Sequence, residues 1–297
     1  MSLPLAFRAT PPPVWVATKT GNQNIMGVPY FRQDVGADYS LLVANNLGNS
    51  FRSESGATDF VEGQTDRSRS ELQSSIKLPF GVTHDAAFMN RSSDTMPALT
   101  LSDNVIWQYH QTEDAGDASG YPPAELNLGD GYTADGRRYK MLRVYTATNP
   151  TASDPAFYPR TLRASVPYEL DVWHDIIIRI RFGWSGDAMM KVWLDGAPIV
   201  DVSGVSIGMN DAVGPYHKFG CYWHDLTAGR VITNENIHVV PPGIDADLSA
   251  RVSNPPPRPS GDENVSIDMI ASPLSGAPYA FITDPRPGHE GRYVTLP

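Results

Sequence analysis

The chain has 297 residues, with 23 lysines and arginines against 33 aspartates and glutamates, and a formal net charge of −10. That acidic balance excludes a general nucleic-acid binder, which needs a basic field to engage phosphates. The composition includes 25 glycines, 26 prolines and 41% hydrophobic residues, enough for a sizeable core, and the glycines follow no collagen period.

In chain order, residues 1–13 carry four prolines and read as an N-terminal arm. No positively charged region precedes their short apolar stretch, so no secretory signal is expected there. No apolar run approaches the ~18 residues of a membrane helix. Residues 14–240 read as one all-β domain of short alternating strands bounded by Gly, Pro, Asn and Asp. The best strands are Asn104–Gln111, Tyr139–Thr146, Trp173–Phe182, Met189–Leu194 and Tyr216–Trp223. Asp195-Gly196 reads as a tight hairpin turn returning through Ala197–Val202, and Gly183–Asp187 as a second turn. Residues 241–297 form a Pro-rich linker and C-terminal extension, with Val265–Ile270 as one more strand. The plainer reading of both ends is a solvated, mobile tail; the alternative is packing against a neighbouring subunit, in a homo-oligomer or a larger assembly.

Three segments could carry chemistry. In Arg67-Ser68-Arg69-Ser70-Glu71-Leu72-Gln73, strand alternation puts Arg69, Glu71 and Gln73 on one face. Glu71 can then pair with Arg69 and aim its guanidinium at an anion, although a solvated ion-paired strand is the plainer reading. In the next, Gln108 and His110 share a face opposite Trp107 and Tyr109. An amide beside an imidazole suits a carboxylate next to a proton-transfer group, although for this motif alone an ordinary half-buried strand histidine is the plainer reading. In the third, Tyr216, Lys218, Tyr222 and His224 point one way and His217, Phe219, Cys221 and Trp223 the other. Gly220 leaves room for a ligand on the polar face. Cations near Tyr222 are expected to lower its pKa; an aromatic-rich core strand is the alternative.

Two further clusters carry less. Glu113, Asp114 and Asp117 could offer carboxylates to a structural calcium ion, but their spacing is not that of an EF-hand and a solvated acidic loop is the plainer reading. Arg143, in a locally basic run with Arg137 and Arg138, could line a groove or simply guard a strand edge. The histidines show no metal-ligand spacing, and Cys221, alone, can form neither an internal disulfide nor a multi-thiolate metal site.

Taken in order, RSEL, QYH and YHKFGCY resemble the three signatures of the jelly-roll alginate lyases. Trp173-His174-Asp175 followed by Lys191-Val192-Trp193-Leu194-Asp195-Gly196 is similar to the related glucuronan and heparin lyases. Gln73 stands where the alginate enzymes have a second arginine, which favours a glucuronan-like polymer. The resemblance implies a concanavalin A-like β-jelly roll, two antiparallel sheets with a groove, and a polysaccharide lyase that needs no cofactor. It further implies that Arg69 and Gln108 neutralise the uronate carboxylate. His110 would be a base or carboxylate stabiliser, and Tyr222 would protonate the leaving oxygen or act on both protons in a syn elimination. Lys218 would add positive potential beside Tyr222, and Glu71 would hold Arg69. Tyr216, His224 and Arg143 would line the groove.

The expected partner is an anionic polysaccharide, with no membrane insertion, met outside the cell or on a virion. A non-catalytic carbohydrate-binding or structural subunit, such as a phage tail appendage, is the rival reading. A glycoside hydrolase is third, disfavoured because no strand offers the paired carboxylates that hydrolysis uses.

Overall fold

The computed structural model describes residues 3–4, 15–17, 23–25, 28–34, 36, 40–44, 47–55, 60, 67–92, 104–117, 120–132, 138–151, 160–169, 172–223, 230–239, 246–253, 268–271, 278–283 and 290–295. Most of both expected arms lies outside these residues. The described secondary structure is strand apart from one five-residue helix, α1 (Ser249–Ser253).

Numbered in chain order, the strands include β1 (Leu3–Pro4), β2 (Trp15–Ala17), β3 (Gln23–Ile25), β4 (Val28–Gln33), β5 (Leu41–Ala44), β6 (Leu47–Ser55) and β7 (Ser68–Ser74). There follow β8 (Thr83–Ser92), β9 (Asn104–His110), β10 (Ala124–Tyr132), β11 (Arg138–Asn149), β12 (Arg160–Tyr168), β13 (His174–Arg181) and β14 (Gly183–Leu194). The rest are β15 (Ala197–Met209), β16 (Tyr216–Trp223), β17 (Arg230–Val239), β18 (Ala246–Asp247), β19 (Asp268–Ala271), β20 (Pro278–Thr283) and β21 (Glu290–Thr295).

Sixteen of these strands form one curled sheet that folds into two layers. The front layer runs β3-β4-β7-β16-β9-β10-β11-β12, and the back layer β2-β5-β6-β17-β8-β13-β14-β15. A short parallel pairing of Thr148 and Asn149 with Gly208 and Met209 joins them; the other pairings within both layers are antiparallel. β19–β21 make a separate three-stranded sheet, and β1 pairs with β18. The fold is thus all-β with two antiparallel layers, as the sequence leads one to expect.

Alternation explains where the core sits. Along β13, Ile176, Ile178 and Ile180 enter the interlayer core while Ile177 faces outward. An apolar run buried on one face only would leave Ile177 in water. Instead Leu248 and Val252, before and within α1, cover it together with Ala87 and Trp193. Each aliphatic side chain so buried is worth about 1.5–3 kcal/mol. From the front layer, Trp107 stacks between Phe88 (4.4 Å, 9°) and Phe219 (5.2 Å, 13°). His217 also enters this core: Tyr30 donates to its Nε2, and burial drives its pKa down to about 3.

The Asp195-Gly196 turn forms as expected, with φ of 50° and 79° and Leu194 paired to Ala197. The expected turn at Gly183–Asp187 is instead the start of β14, where an irregular register pairs Gly183 with Ile207. β15 continues past Val202 to Met209, and β4, β6, β8, β10, β12 and β17 are strands not singled out from sequence.

Candidate active site

The three candidate segments become neighbours in the front layer, where β16 lies between β7 and β9. Lys218 is the register partner of Gln73 on one side and Gln108 on the other. Tyr222 lies opposite Arg69, Gly220 opposite Glu71, and Tyr216 opposite His110. Alternation therefore brings Arg69, Glu71, Gln73, Gln108, His110, Tyr216, Lys218 and Tyr222 onto one face of three adjacent strands. His224 and Arg137 lie outside the described residues. Arg143 is on the same face but two strands from Gln108, opposite Asn127 on β10.

The internal bonding differs from the expected Arg69–Glu71 clamp. Glu71, 1% exposed, accepts from Gln108 Nε2 at 2.6 Å through Oε1, while its buried Oε2 has no hydrogen-bond partner. Arg69 Nη1 donates to Gln33 Oε1 on β4 at 3.3 Å, and its guanidinium lies 4.7 Å from the centroid of the Tyr222 ring. Glu71 thus orients Gln108. Its bond takes one amide hydrogen and leaves the other for a ligand.

Tyr222 corrects a second expectation. Burial raises its pKa, and the lowering by Arg67 and Arg69 does not overcome that desolvation. Arg67 Nη1 donates to the Tyr222 hydroxyl at 3.0 Å. The cations beside Tyr222 are therefore Arg67 and Arg69, whereas Lys218 stands four residues along β16 beside Gln108 and His110. Held as a phenol by burial, Tyr222 has a proton to give.

His110 is poised the other way. Burial first, then Lys218, with smaller repulsion from Arg69 and Lys77, lowers its pKa to about 4. Its Nδ1 donates to the Gln111 carbonyl at 2.9 Å, which assigns the lone pair to Nε2. The ring packs on Tyr216, centroids 5.4 Å apart, and Lys77 Nζ sits 3.7 Å from the Tyr216 ring centroid. Arg69 links the two ends of the site, stacking on Tyr222 while acting electrostatically on His110.

Gly220 serves the backbone rather than a ligand. Its φ is +138°, and a β-carbon there would come 2.3 Å from the Ser70 carbonyl oxygen of β7. The β9–β16 register shifts between Phe219 and Tyr222, so the glycine lets β16 bulge where Tyr222 is presented.

Several site residues escaped the sequence reading. Arg67 has the same parity as Arg69 and could have been found by extending the alternation two residues. Glu125, 2% exposed, is the partner of Gln108 on β10 and shows in the alternation of Ala124-Glu125-Leu126-Asn127. Gln33 and Arg160 belong to strands that were not singled out. Asp114 and Asp117 gather with Asp211, their carboxylate oxygens within 4.8 Å of one another, while Glu113 is exposed. Among the described residues no helix is long and apolar enough to cross a membrane.

The family model described as polysaccharide lyase matches residues 42–239. No curated protein matches the chain. Among solved structures it is similar to an endo-β-1,4-glucuronan lyase from the fungus Trichoderma reesei, at 13% identity and a TM-score of 0.53, covering 80% of this chain and 96% of that one. It also matches alginate lyase AlgAT5 of polysaccharide lyase family 7, at 17% identity and a TM-score of 0.44, covering 67% and 81%. The first likeness is one of fold, and the fold is the jelly roll.

Proposed function

The chain belongs to the polysaccharide lyase family, and from that premise we propose that it cleaves a glucuronan-like, uronate-containing polymer by β-elimination. The observation that carries this reading is the joint presence, on one face of three adjacent strands, of an arginine, a primary amide, a neutral histidine and a phenol held protonated by burial. Arg69 and Gln108 take the uronate carboxylate and stabilise the charge that develops there as the C5 proton leaves. His110 Nε2 accepts that proton, being neutral down to a pH of about 4. The C5–H electron pair becomes the C4–C5 double bond, the C4–O4 bond breaks, and O4 takes the proton of Tyr222. Arg67, bonded to the Tyr222 oxygen, stabilises the phenolate left behind. Balance is complete without a cofactor: one proton enters at His110 and one departs from Tyr222. Lys218 adds positive potential at the Gln108–His110 end. An extracellular or virion-borne setting, where such polymers are met, belongs to the same reading.

Incubation with glucuronan, alginate and heparin, followed by ultraviolet absorbance of the unsaturated product, tests it. Glucuronan is expected to give the fastest rise. Tyr222→Phe is expected to cut the rate by about 10²–10⁴-fold. Parent-level activity in that variant would remove Tyr222 from the mechanism, and absence of product from every uronate polymer would overturn the substrate class.

A further inference from the structure

The line through Gln73, Lys218 and Gln108 does not stop at the catalytic strands. On β4, Phe31 is the register partner of Gln73; beyond Gln108 come Glu125 on β10, then Tyr145 on β11 and Leu162 on β12. From Phe31 to Tyr145 this row crosses five strand spacings, about 24 Å at the usual separation of paired strands. Its middle is polar, with Lys218, Gln108 and Glu125 buried and Gln73 half-buried, whereas its ends are exposed: Phe31 is 44% accessible and Leu162 50%. Tyr121, 36% accessible, joins the Leu162 end, so three of the four exposed large apolar side chains among the described residues mark this line; the fourth is Val213. Scattered exposed apolar residues need no explanation, but their alignment at the two ends of one polar track does.

The Tyr145 end is also charged. The Arg160 guanidinium lies 4.5 Å from the Tyr121 ring centroid and 4.4 Å from that of Tyr145, while its Nη1 is ion-paired to the buried Glu125. Two rings and a carboxylate therefore fix the plane of a guanidinium whose side chain is 26% exposed. Arg143, two residues from Tyr145 on the same face, brings a second cation. Among the described residues the patch so assembled holds two guanidinium groups, Arg143 and Arg160, and one carboxylate, Glu125.

Resting on the lyase reading, the geometry points to a distal subsite at Tyr121, Tyr145 and Arg160 that holds a uronate residue several rings from the scissile bond. The C–H face of the sugar packs on the tyrosine rings and its carboxylate meets the arginine edge. Phe31 marks the opposite end, so the polymer lies across the strands and cleavage occurs in the middle of the track.

The experiment uses oligoglucuronates of increasing length. In the parent chain kcat/KM rises with length until the oligomer reaches Tyr145. Tyr121→Ala, which leaves the Arg160–Glu125 pair in place, lowers kcat/KM about tenfold on long oligomers, mainly through KM, as a lost ring contact would. It leaves the shortest cleavable oligomer unaffected. Arg160→Lys, which keeps a cation opposite Glu125 but loses the flat stack, follows the same pattern. Equal losses on short and long oligomers, or no loss on either, would overturn the subsite. If the parent yields no unsaturated product, the lyase reading itself fails. The subsite is then judged by calorimetric binding of the same oligomers: affinity that grows with length and loses that growth in Tyr121→Ala supports it, and any other result overturns it.

Discussion

On the outer face of the back layer, Arg179 grips Asp85 through two bonds of 2.7 and 2.8 Å, and Arg251 of α1 holds Asp175 through Nε, shared between both carboxylate oxygens, and Nη2, which donates to Oδ1. Asp195 accepts from His174 Nδ1 and from the Asp175 backbone N–H, tying the hairpin turn to the start of β13. On the groove face of the front layer, charge is buried as deeply but closed less completely. Glu71 keeps one carboxylate oxygen without a hydrogen bond, His110 is neutral because charging it is costly, and Tyr222 holds its proton against two arginines. On the outer face each buried carboxylate is gripped through both of its oxygens, although Arg251 Nη1 has no hydrogen-bond partner; on the groove face the Glu71 carboxylate is bound through one oxygen. Buried polar groups that are not satisfied internally lower stability, and a fold keeps them where a ligand will complete them.

The sharpest way to break this comparison is to open a closed pair. Arg251→Ala leaves the Asp175 carboxylate, 2% exposed, without its guanidinium in a site where burial already raises its pKa. Loss of one partner of a buried pair costs about 3–5 kcal/mol, to be read from urea denaturation. The rate per folded molecule is expected to stay at the parent level. A fall in that rate equal to the loss of stability would mean that the two layers are not functionally separate.

The groove should respond the opposite way. Glu71→Gln keeps the shape and an acceptor for Gln108 while removing the incompletely bonded charge. Stability is expected to shift by less than about 1.5 kcal/mol, because one hydrogen bond is weakened while the cost of burying an anion disappears. The new amide can turn, so Gln108 loses its fixed orientation and kcat falls by up to about 10²-fold, the scale of a small misplacement. Stability loss on the scale of Arg251→Ala would show that Glu71 is structural in the same sense as Asp175.

Strand parity made much of the site legible in advance. Arg69 with Glu71, Gln108 with His110, and Lys218 with Tyr222 share faces in any extended chain, and the Asp195-Gly196 turn follows from its residue types. What parity could not reveal is which strands lie side by side. Only the β7-β16-β9 order places Lys218 beside Gln108 and Arg67 beside Tyr222, and only the bulge makes Gly220 a steric necessity. The direction of the Tyr222 pKa was equally hidden, since nearby cations can be counted in a sequence but desolvation is a property of the folded sheet. The His174-Asp175 and Asp195-Gly196 motifs, prominent in the family resemblance, belong to the closed outer face. Their likeness reports the fold, and the candidate site lies on the other layer.

The smallest expected effect separates burial from the strongest of the charges that keep His110 neutral. Its pKa of about 4 against an ordinary 6.5 means that the unfolded chain binds the proton more tightly than the folded one. The stabilising contribution of neutral His110 is therefore present above pH 6.5 and lost as the pH falls from 6.5 towards 4. Activity that needs its lone pair persists lower and fails as the pH drops through about 4. Burial is the largest cause, Lys218 the next, and Arg69 and Lys77 are smaller. Lys218→Met removes the charge with little change in length, so the His110 pKa, followed by the imidazole NMR signal of the free protein, should rise yet stay well below 6.5. Return to 6.5 would mean that the groove acts on His110 through charge alone. No movement would mean that burial by the sheet suffices, and that Lys218 acts only on the substrate.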